Sequence, residues 1–152
     1  MPEPWIQESK LVPPAPPAGW LARPGLATDA PVVALTGGPG AGKTLALLAL
    51  TEPVRAAGGL VAWYALDAYD AEPEAFFAHL VAAVARAIPG FEIALGEEPK
   101  TLWQRFFRAL AAFNAPAVAI ALDDAHALLD SDDGEAILQG LAPFLDKLPP
   151  RV

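Results

Sequence analysis

The amino-acid sequence predicts an α/β fold, with a parallel β-sheet covered by helices on both faces in a three-layer sandwich. Short apolar runs that suit buried strands alternate with longer segments whose apolar residues recur at helical spacing. The runs lack polar–apolar alternation, which indicates strands buried on both sides. A glycine-rich segment joins the first run to the first helix, at the position where such sheets bind ligands.

The overall composition narrows the classes of function. The 152 residues suit one compact domain, and the 54% of hydrophobic residues provide a sizeable core. The net charge of -8 argues against a broad basic face, so DNA would be contacted only through domains absent from this chain. There is no cysteine, which excludes disulfides and thiolate metal sites and favours a reducing compartment. The acidic start and the lack of a long apolar stretch predict a cytoplasmic protein without membrane contact.

The N-terminal residues 1–31 are predicted to form a proline-rich arm, and residues 32–152 the body of the domain. Proline fixes φ and removes an amide donor, so the arm is expected to be extended. Two large aromatic residues, Trp5 and Trp20, are expected to pin it by burying their rings.

The body reads as alternating strands and helices. Strands are predicted at 32–36, 60–66 and 117–122, and helices at 43–50, 74–88, 101–113 and 133–148. Pro53 is expected to end or kink the first helix, and Pro143 to interrupt the last. Thr101 has the spacing of a capping box with Gln104. The aromatic pairs at 76–77 and 106–107 and Trp103 are interpreted as core.

Residues 37–44, GGPGAGKT, match the phosphate-binding pattern G-x-x-x-x-G-K-[ST]. Glycines let backbone N–H groups approach a polyphosphate closely, and the following helix adds its free amides and positive dipole end. Lys43 would reach the β- and γ-phosphates as a catalytic residue, and the Thr44 hydroxyl would ligate Mg²⁺. The alternative is a turn with incidental glycines. The predicted nucleotide contacts are Gly37, Gly38, Pro39, Gly40, Ala41, Gly42, Lys43, Thr44 and Leu45.

The third apolar run ends in the paired acids Asp123 and Asp124. Mg²⁺ prefers hard oxygen ligands and keeps several waters, which suits Asp123 as a metal residue beside Thr44. Asp124 is predicted to be catalytic, by orienting the attacking water. The alternative is that these acids cap the next helix. Of the acids after the second run, Asp70 is interpreted as a helix cap and Asp67 as a further candidate for the metal region.

The sequence contains two histidines, and it lacks the segment that reads guanine. His126 follows the acid pair and is interpreted as structural, although contact with a phosphate is an alternative; His79 receives no role. An Asn/Thr-Lys-x-Asp segment, which guanine-selective domains use, does not occur. The sequence therefore favours ATP or ADP with Mg²⁺ as cofactors.

Several segments together resemble the ATPase domain of large bacterial transcriptional regulators of the maltose-regulon-activator type. This LuxR-family group lies within the NACHT/NB-ARC-like signal-transduction ATPases with numerous domains. The resemblance rests on ESKLVPPAPPAGWLARPGL, GGPGAGKT, VAWYALDAYDAEPEAFFAHLVAAV, VAIALDDAH and LAPFLDKLPPRV. It implies a P-loop NTPase fold, ATP or ADP with Mg²⁺, assembly into a homo-oligomer in the ATP state, and a role for Arg23 and Pro24 near the adenine.

The sequence also departs from that family. Only GLATDA separates Arg23-Pro24 from the first strand, where members usually have a helix, so the adenine pocket is expected to differ. The resemblance implies that the chain is truncated before the sensor strand and its arginine. We expect a gap in the sheet or an exposed strand edge as a result.

These observations favour an ATP-binding regulatory switch that, as this fragment, hydrolyses ATP weakly or not at all. One alternative is a small-molecule P-loop kinase, which would need an acceptor site and an arginine-bearing lid. The other is an interaction module with a degenerate loop, which would bind no nucleotide.

Overall fold

The computed structural model describes residues 5–15, 42–113 and 117–148, with the Lys147 side chain left out. The predicted strand 32–36, loop residues 37–41, Trp20 and the pair Arg23-Pro24 fall outside these ranges. The helices are α1 (Lys43–Ala56), α2 (Pro73–Ala87), α3 (Pro99–Ala112) and α4 (Asp132–Leu141), and the strands are β1 (Leu60–Ala65) and β2 (Val118–Asp123). Short 3-10 turns occur at Glu8–Leu11, Ala68–Ala71, Ala125–Asp130 and Ala142–Lys147.

The described strands pair in parallel, from Leu60 opposite Val118 to Ala65 opposite Asp123. Gly59 lets the chain enter β1, because a Cβ there would lie 2.8 Å from the Ala117 carbonyl oxygen. Parallel pairing brings the carboxyl ends of both strands to one edge of the sheet. That edge therefore carries Asp123.

Helices cover both faces of this sheet. The adjacent residues Trp63 and Tyr64 point to opposite faces, as expected for a strand, and both are buried. Trp63 packs with Leu48 of α1 and Ala121 of β2. Tyr64 belongs to the larger core formed mainly by α2, α3 and α4. The predicted α/β sandwich is confirmed.

The aromatic residues between the helices form the centre of the larger core. Phe76, Phe77 and Phe106 are completely buried, and the Trp103 ring packs edge-on against Phe77 and Phe106. The buried Trp103 Nε1 donates a hydrogen bond of 2.8 Å to the Ile137 carbonyl, which connects α3 to α4. The interpretation of these aromatics as core is confirmed.

Pro53 does not end α1, which continues to Ala56. The turn after the proline is held by the amides of Ala57, Gly58 and Gly59, which donate to the carbonyls of Pro53, Arg55 and Val54. Gly58 has a left-handed φ of 84°, which suits glycine at the end of a helix. These bonds satisfy carbonyls of the last turn of α1.

The starts of the two C-terminal helices also differ from expectation. Thr101 does not cap α3, which begins two residues earlier at Pro99, because proline at the first helical position is favourable. The predicted helix 133–148 is divided into α4 and the 3-10 turn at Ala142–Lys147, so the interruption at Pro143 is confirmed. The α4 helix is capped by Ser131, whose Oγ accepts the Gly134 amide at 3.1 Å.

The described part of the N-terminal arm is anchored by Leu11 rather than by the predicted Trp5. Trp5 is 79% exposed, so its predicted anchoring role is wrong. The described part of the arm turns at Glu8–Leu11 rather than staying extended. This turn directs Leu11 into the core, where it is 3% exposed, because a compact aliphatic side chain fits between the packed elements. Within the described ranges, the helices are all too short or too polar to cross a bilayer.

Candidate phosphate and metal site

The start of α1 and the end of β2 meet at the carboxyl edge of the sheet. The Thr44 hydroxyl donates a hydrogen bond of 2.8 Å to Asp123 Oδ2, across 79 residues of sequence. The chain enters α1 through Gly42, whose left-handed φ of 76° is tolerated best by glycine. Lys43 is the first residue of α1, so its backbone lies at the same edge. The structure thus brings two of the predicted site residues into direct contact.

The Asp123 carboxylate is held on both oxygens. It is 6% exposed, and its Oδ1 accepts the Asp124 amide at 3.0 Å. The Asp123 backbone is fixed as well, since its carbonyl accepts the Leu66 amide at 2.9 Å. A buried carboxylate with these partners has a defined orientation and stays close to the helix that follows the loop.

The two side-chain oxygens fit the requirements of Mg²⁺. Neighbouring ligands of an octahedral Mg²⁺ lie about 2.9 Å apart, and the Thr44 and Asp123 oxygens are 2.8 Å apart. The ion could bind both directly, or bind Asp123 through one of its waters. The described residues contain no cluster of three or more His, Cys, Asp or Glu that could hold a metal. Oxygens other than those of this pair would therefore have to complete the shell.

Asp124 faces solvent beside this pair. It has a left-handed φ of 57°, and its side chain makes no capping hydrogen bond to the turn that follows. The alternative that it caps the next segment is therefore not supported. Its carboxylate is 52% exposed and lies 4.0 Å from Nδ1 of His126, which is itself 62% exposed. The interpretation of His126 as a structural residue is wrong, because its ring is not packed in the core.

The remaining predicted nucleotide contacts divide into described and undescribed residues. Leu45 is partly buried and packs against the cluster of Leu48, Trp63 and Ala121. The predicted contacts outside the described ranges are Gly37, Gly38, Pro39, Gly40, Ala41, Arg23 and Pro24.

The acids after β1 do not serve the roles proposed from the sequence. Asp70 does not cap α2, which is capped by the Glu72 carboxylate through the amides of Glu74 and Ala75. Asp70 is instead buried at 1% exposure and binds the Lys10 ammonium at 2.7 Å. Asp67 also binds Lys10, at 2.8 Å, so it is occupied by this cation rather than directed at the metal region.

The Lys10 cluster shifts the pKa values of Lys10, Asp67 and the neighbouring Tyr64. Burial lowers the pKa of Lys10, but hydrogen bonds and charges from Asp67 and Asp70 outweigh it and raise the pKa above its ordinary value. Burial alone would raise the pKa of Asp67. Lys10 and the Tyr69 amide lower it by more, so the pKa lies below its ordinary value. Burial, followed by the Asp70 carboxylate, raises the pKa of Tyr64. Lys10 and Asp67 thus stabilise each other's charged forms.

Sequence reasoning missed this cluster and the partner of His79. The ring accepts the Gln7 amide at Nε2, at 3.1 Å, and Nδ1 donates to the Ala75 carbonyl at 2.8 Å. The D-x-x-D spacing at Asp67 and Asp70 was the one available signal, because it matches the capping box they form around the turn at Ala68–Ala71. Nothing in the sequence around Lys10 indicates its distant partners.

Comparisons with known proteins agree with the fold. A family model described as an AAA domain matches residues 27–148 of the 152-residue chain. That range includes the glycine-rich loop, the start of α1 and the acid pair at the end of β2. Searches of the curated proteins and of the solved structures each found no match. The match covers most of the chain, which therefore belongs to the AAA domain family of P-loop ATPases.

Proposed function

We propose that this chain binds ATP or ADP with Mg²⁺ and serves as the nucleotide-switch domain of a bacterial signal-transduction ATPase. The observation that carries the proposal is the hydrogen bond of 2.8 Å between Thr44 and Asp123. It joins the last residue of the phosphate-loop pattern to an acid at the end of a buried strand. A turn with incidental glycines would not require this partner.

Each residue at the edge has a role that suits its position. Backbone amides of the loop and of the first turn of α1 donate to phosphate oxygens, and Lys43 adds a positive charge there. Thr44 and Asp123 would hold Mg²⁺, which when bound neutralises charge on the phosphate oxygens. The exposed Asp124 carboxylate accepts a hydrogen bond from a water and orients it toward the γ-phosphate. Arg23 and Pro24 would contact the adenine.

Regulation in this proposal depends on differential affinity. The nucleotide acts as a switch only if ATP and ADP favour different arrangements of the domain or different states of assembly. The resemblance to the large transcriptional regulators supports a homo-oligomer in the ATP state, with DNA bound by other domains. Slow hydrolysis would then set the lifetime of the active state.

The arginines of the described helices support a switch over a small-molecule kinase. Arg86 is paired with Glu8 of the arm at 2.8 Å, and Arg105 donates to the Ala94 carbonyl at 2.9 Å. Both side chains therefore have partners within the described structure. A kinase lid would need arginines directed at the phosphates.

Calorimetric titration of the chain with ATP, ADP and GTP, each with and without Mg²⁺, tests the proposal. We expect adenine nucleotides to bind and Mg²⁺ to tighten ATP binding. Lys43→Ala should weaken binding by about 1.5–3 kcal/mol, because a charge-assisted phosphate contact is lost. Asp123→Ala should mainly reduce the effect of Mg²⁺.

Arg55→Ala provides the control, since Arg55 also lies in α1 but pairs at the surface with Glu52. Its affinity should equal that of the wild type. The proposal is refuted if the folded wild-type chain binds no nucleotide, or if Lys43→Ala and Arg55→Ala have the same affinity.

A further inference from the structure

A partly buried ion cluster anchors the N-terminal arm close to the carboxyl edge of the sheet. The Lys10 ammonium lies 2.8 Å from Asp67 Oδ2 and 2.7 Å from Asp70 Oδ2. The Lys10 side chain is 11% exposed and that of Asp70 is 1% exposed. Asp70 is thus a buried carboxylate that depends on a cation supplied by the arm, across 60 residues of sequence.

The rest of the arm is fitted to the same region. The Gln7 amide donates to Nε2 of His79, and Leu11 enters the core. Because the Gln7 amide donates to Nε2, that nitrogen is the acceptor, which leaves Nδ1 as the donor to the Ala75 carbonyl. Tyr64 lies in the same core, where its ring stacks on that of His79 at a centroid distance of 5.6 Å. The arm therefore completes this end of the core.

Hydrogen bonds lead from this cluster to the candidate metal site. Asp70 Oδ2, which binds Lys10, also accepts the Asp67 amide at 2.8 Å. The amide of the preceding residue, Leu66, donates to the Asp123 carbonyl at 2.9 Å. The Asp123 side chain then accepts the Thr44 hydroxyl. Lys10 thereby holds the segment around Asp67, and the adjacent Leu66 amide holds the Asp123 backbone.

We propose that Lys10 is a positioning residue for Asp123, so that docking of the arm and binding of Mg²⁺·ATP stabilise each other. The inference rests on the proposed function, because it assigns a regulatory element to that site. Coupling between two sites is reciprocal. If docking of the arm increases the affinity for Mg²⁺·ATP by some factor, bound Mg²⁺·ATP increases the docking equilibrium of the arm by the same factor. Lys10 touches neither nucleotide nor metal in this scheme.

Titration of the 152-residue chain and its Lys10→Met variant with ATP, with and without Mg²⁺, tests the inference. We expect Lys10→Met to raise the Kd for ATP in Mg²⁺ by about 5-fold or more, the lower end of typical coupling between sites. The Kd for ATP without Mg²⁺ should change little, because the phosphate loop is intact. Lys10→Arg should restore the Mg²⁺ effect, since a guanidinium can also bind two carboxylates.

Arg86→Gln is the matched control on the same arm. It removes the exposed ion pair with Glu8 but leaves the Lys10 cluster intact, so its Mg²⁺ dependence should equal that of the wild type. A folded Lys10→Met variant with the wild-type Mg²⁺ dependence overturns the inference while leaving ATP binding in place. A wild-type chain that binds no nucleotide overturns the proposed function, and this inference with it.

Amide hydrogen exchange of the wild-type chain gives an independent measurement if Lys10→Met does not fold. The Gln7 amide is bound to His79 and reports docking of the arm, whereas the Lys10 amide is bound to the Gln7 carbonyl and reports the turn within the arm. Mg²⁺·ATP should slow exchange of the Gln7 amide by the same factor that docking adds to the affinity. Exchange that Mg²⁺·ATP leaves unchanged overturns the coupling.

Discussion

Replacing Thr44 by valine tests whether its contact with Asp123 organises the site. Valine has nearly the same shape but no hydroxyl, so Asp123 Oδ2 loses the donor that lies 2.8 Å away. Asp123 is 6% exposed, and water can replace that donor only in part. Hydrogen bonds to charged groups contribute about 1.5–3 kcal/mol. In a domain of this size that corresponds to a decrease in Tm of roughly 3–12 °C.

The assay is thermal unfolding followed by circular dichroism, without nucleotide or metal, and then calorimetric titration with ATP at several Mg²⁺ concentrations. Thr44→Val should have a lower Tm and lose the Mg²⁺-dependent part of ATP binding. Thr44→Ser should retain both properties because it keeps the hydroxyl. Thr51→Val makes the same chemical change later in α1, where the hydroxyl bonds only to carbonyls of its own helix. It should leave the Mg²⁺ effect intact.

A double-mutant cycle with Asp123→Asn separates this contact from the general effects of each substitution. The two changes should be non-additive, since each alters the same hydrogen bond. The reasoning is refuted if Thr44→Val has the Tm and Mg²⁺ dependence of the wild type. Strict additivity in the cycle would also refute it, because the two side chains would then act independently.

Two further predictions concern the stability of the fold. Gly134→Ala should lower the free energy of unfolding by about 1–3 kcal/mol, despite the higher helix propensity of alanine. The reason is that a Cβ would lie 2.2 Å from the Leu128 carbonyl oxygen. Denaturant unfolding measures this loss. Gln139→Ala, at an exposed position of α4, is the control and should leave the stability nearly unchanged. The second prediction is a dependence on pH. The lowered pKa of Asp67 contributes stability above its unfolded value of about 3.9, and this is lost as pH falls through the folded value. The raised pKa of Lys10 contributes stability below its unfolded value of about 10.4, and this is lost as pH rises through the folded value. Chemical denaturation over a range of pH should show both losses, and Asp67→Asn should reduce the acidic one; an equal acidic loss in that variant would contradict the assignment.

The two described strands and their parallel pairing could be predicted because their signals are local. Apolar runs without alternation indicated buried strands, and the predicted strand 60–66 differs from β1 by one residue at its end. Parallel topology then required that Thr44 and Asp123 lie at the same edge of the sheet, and the structure brings them into contact. Their roles toward nucleotide and metal stay predictions, as do those of the loop residues outside the described ranges.

The Lys10 cluster could not be predicted, because it depends on three side chains that only the folded chain brings together. Asp70 was interpreted as a helix cap, since an aspartate close to the start of a predicted helix often caps it. Its burial follows from the docking of the arm, which no local pattern encodes. Trp5 shows the converse error: a large aromatic residue was expected to be buried, but the turn at Glu8–Leu11 directs Leu11 inward instead.

The parallel pairing of β1 with β2 has a consequence for synthesis on the ribosome. Thr44 is translated 79 residues before its partner Asp123, and at roughly 5–20 residues per second that interval is about 4–16 s. During that time β2 is not yet translated, and the hydrogen-bonding groups of β1 that pair with β2 are available to other chains. The candidate site is therefore among the last parts of the domain to form, and nascent chains shorter than about 120 residues should be the ones that need protection from aggregation.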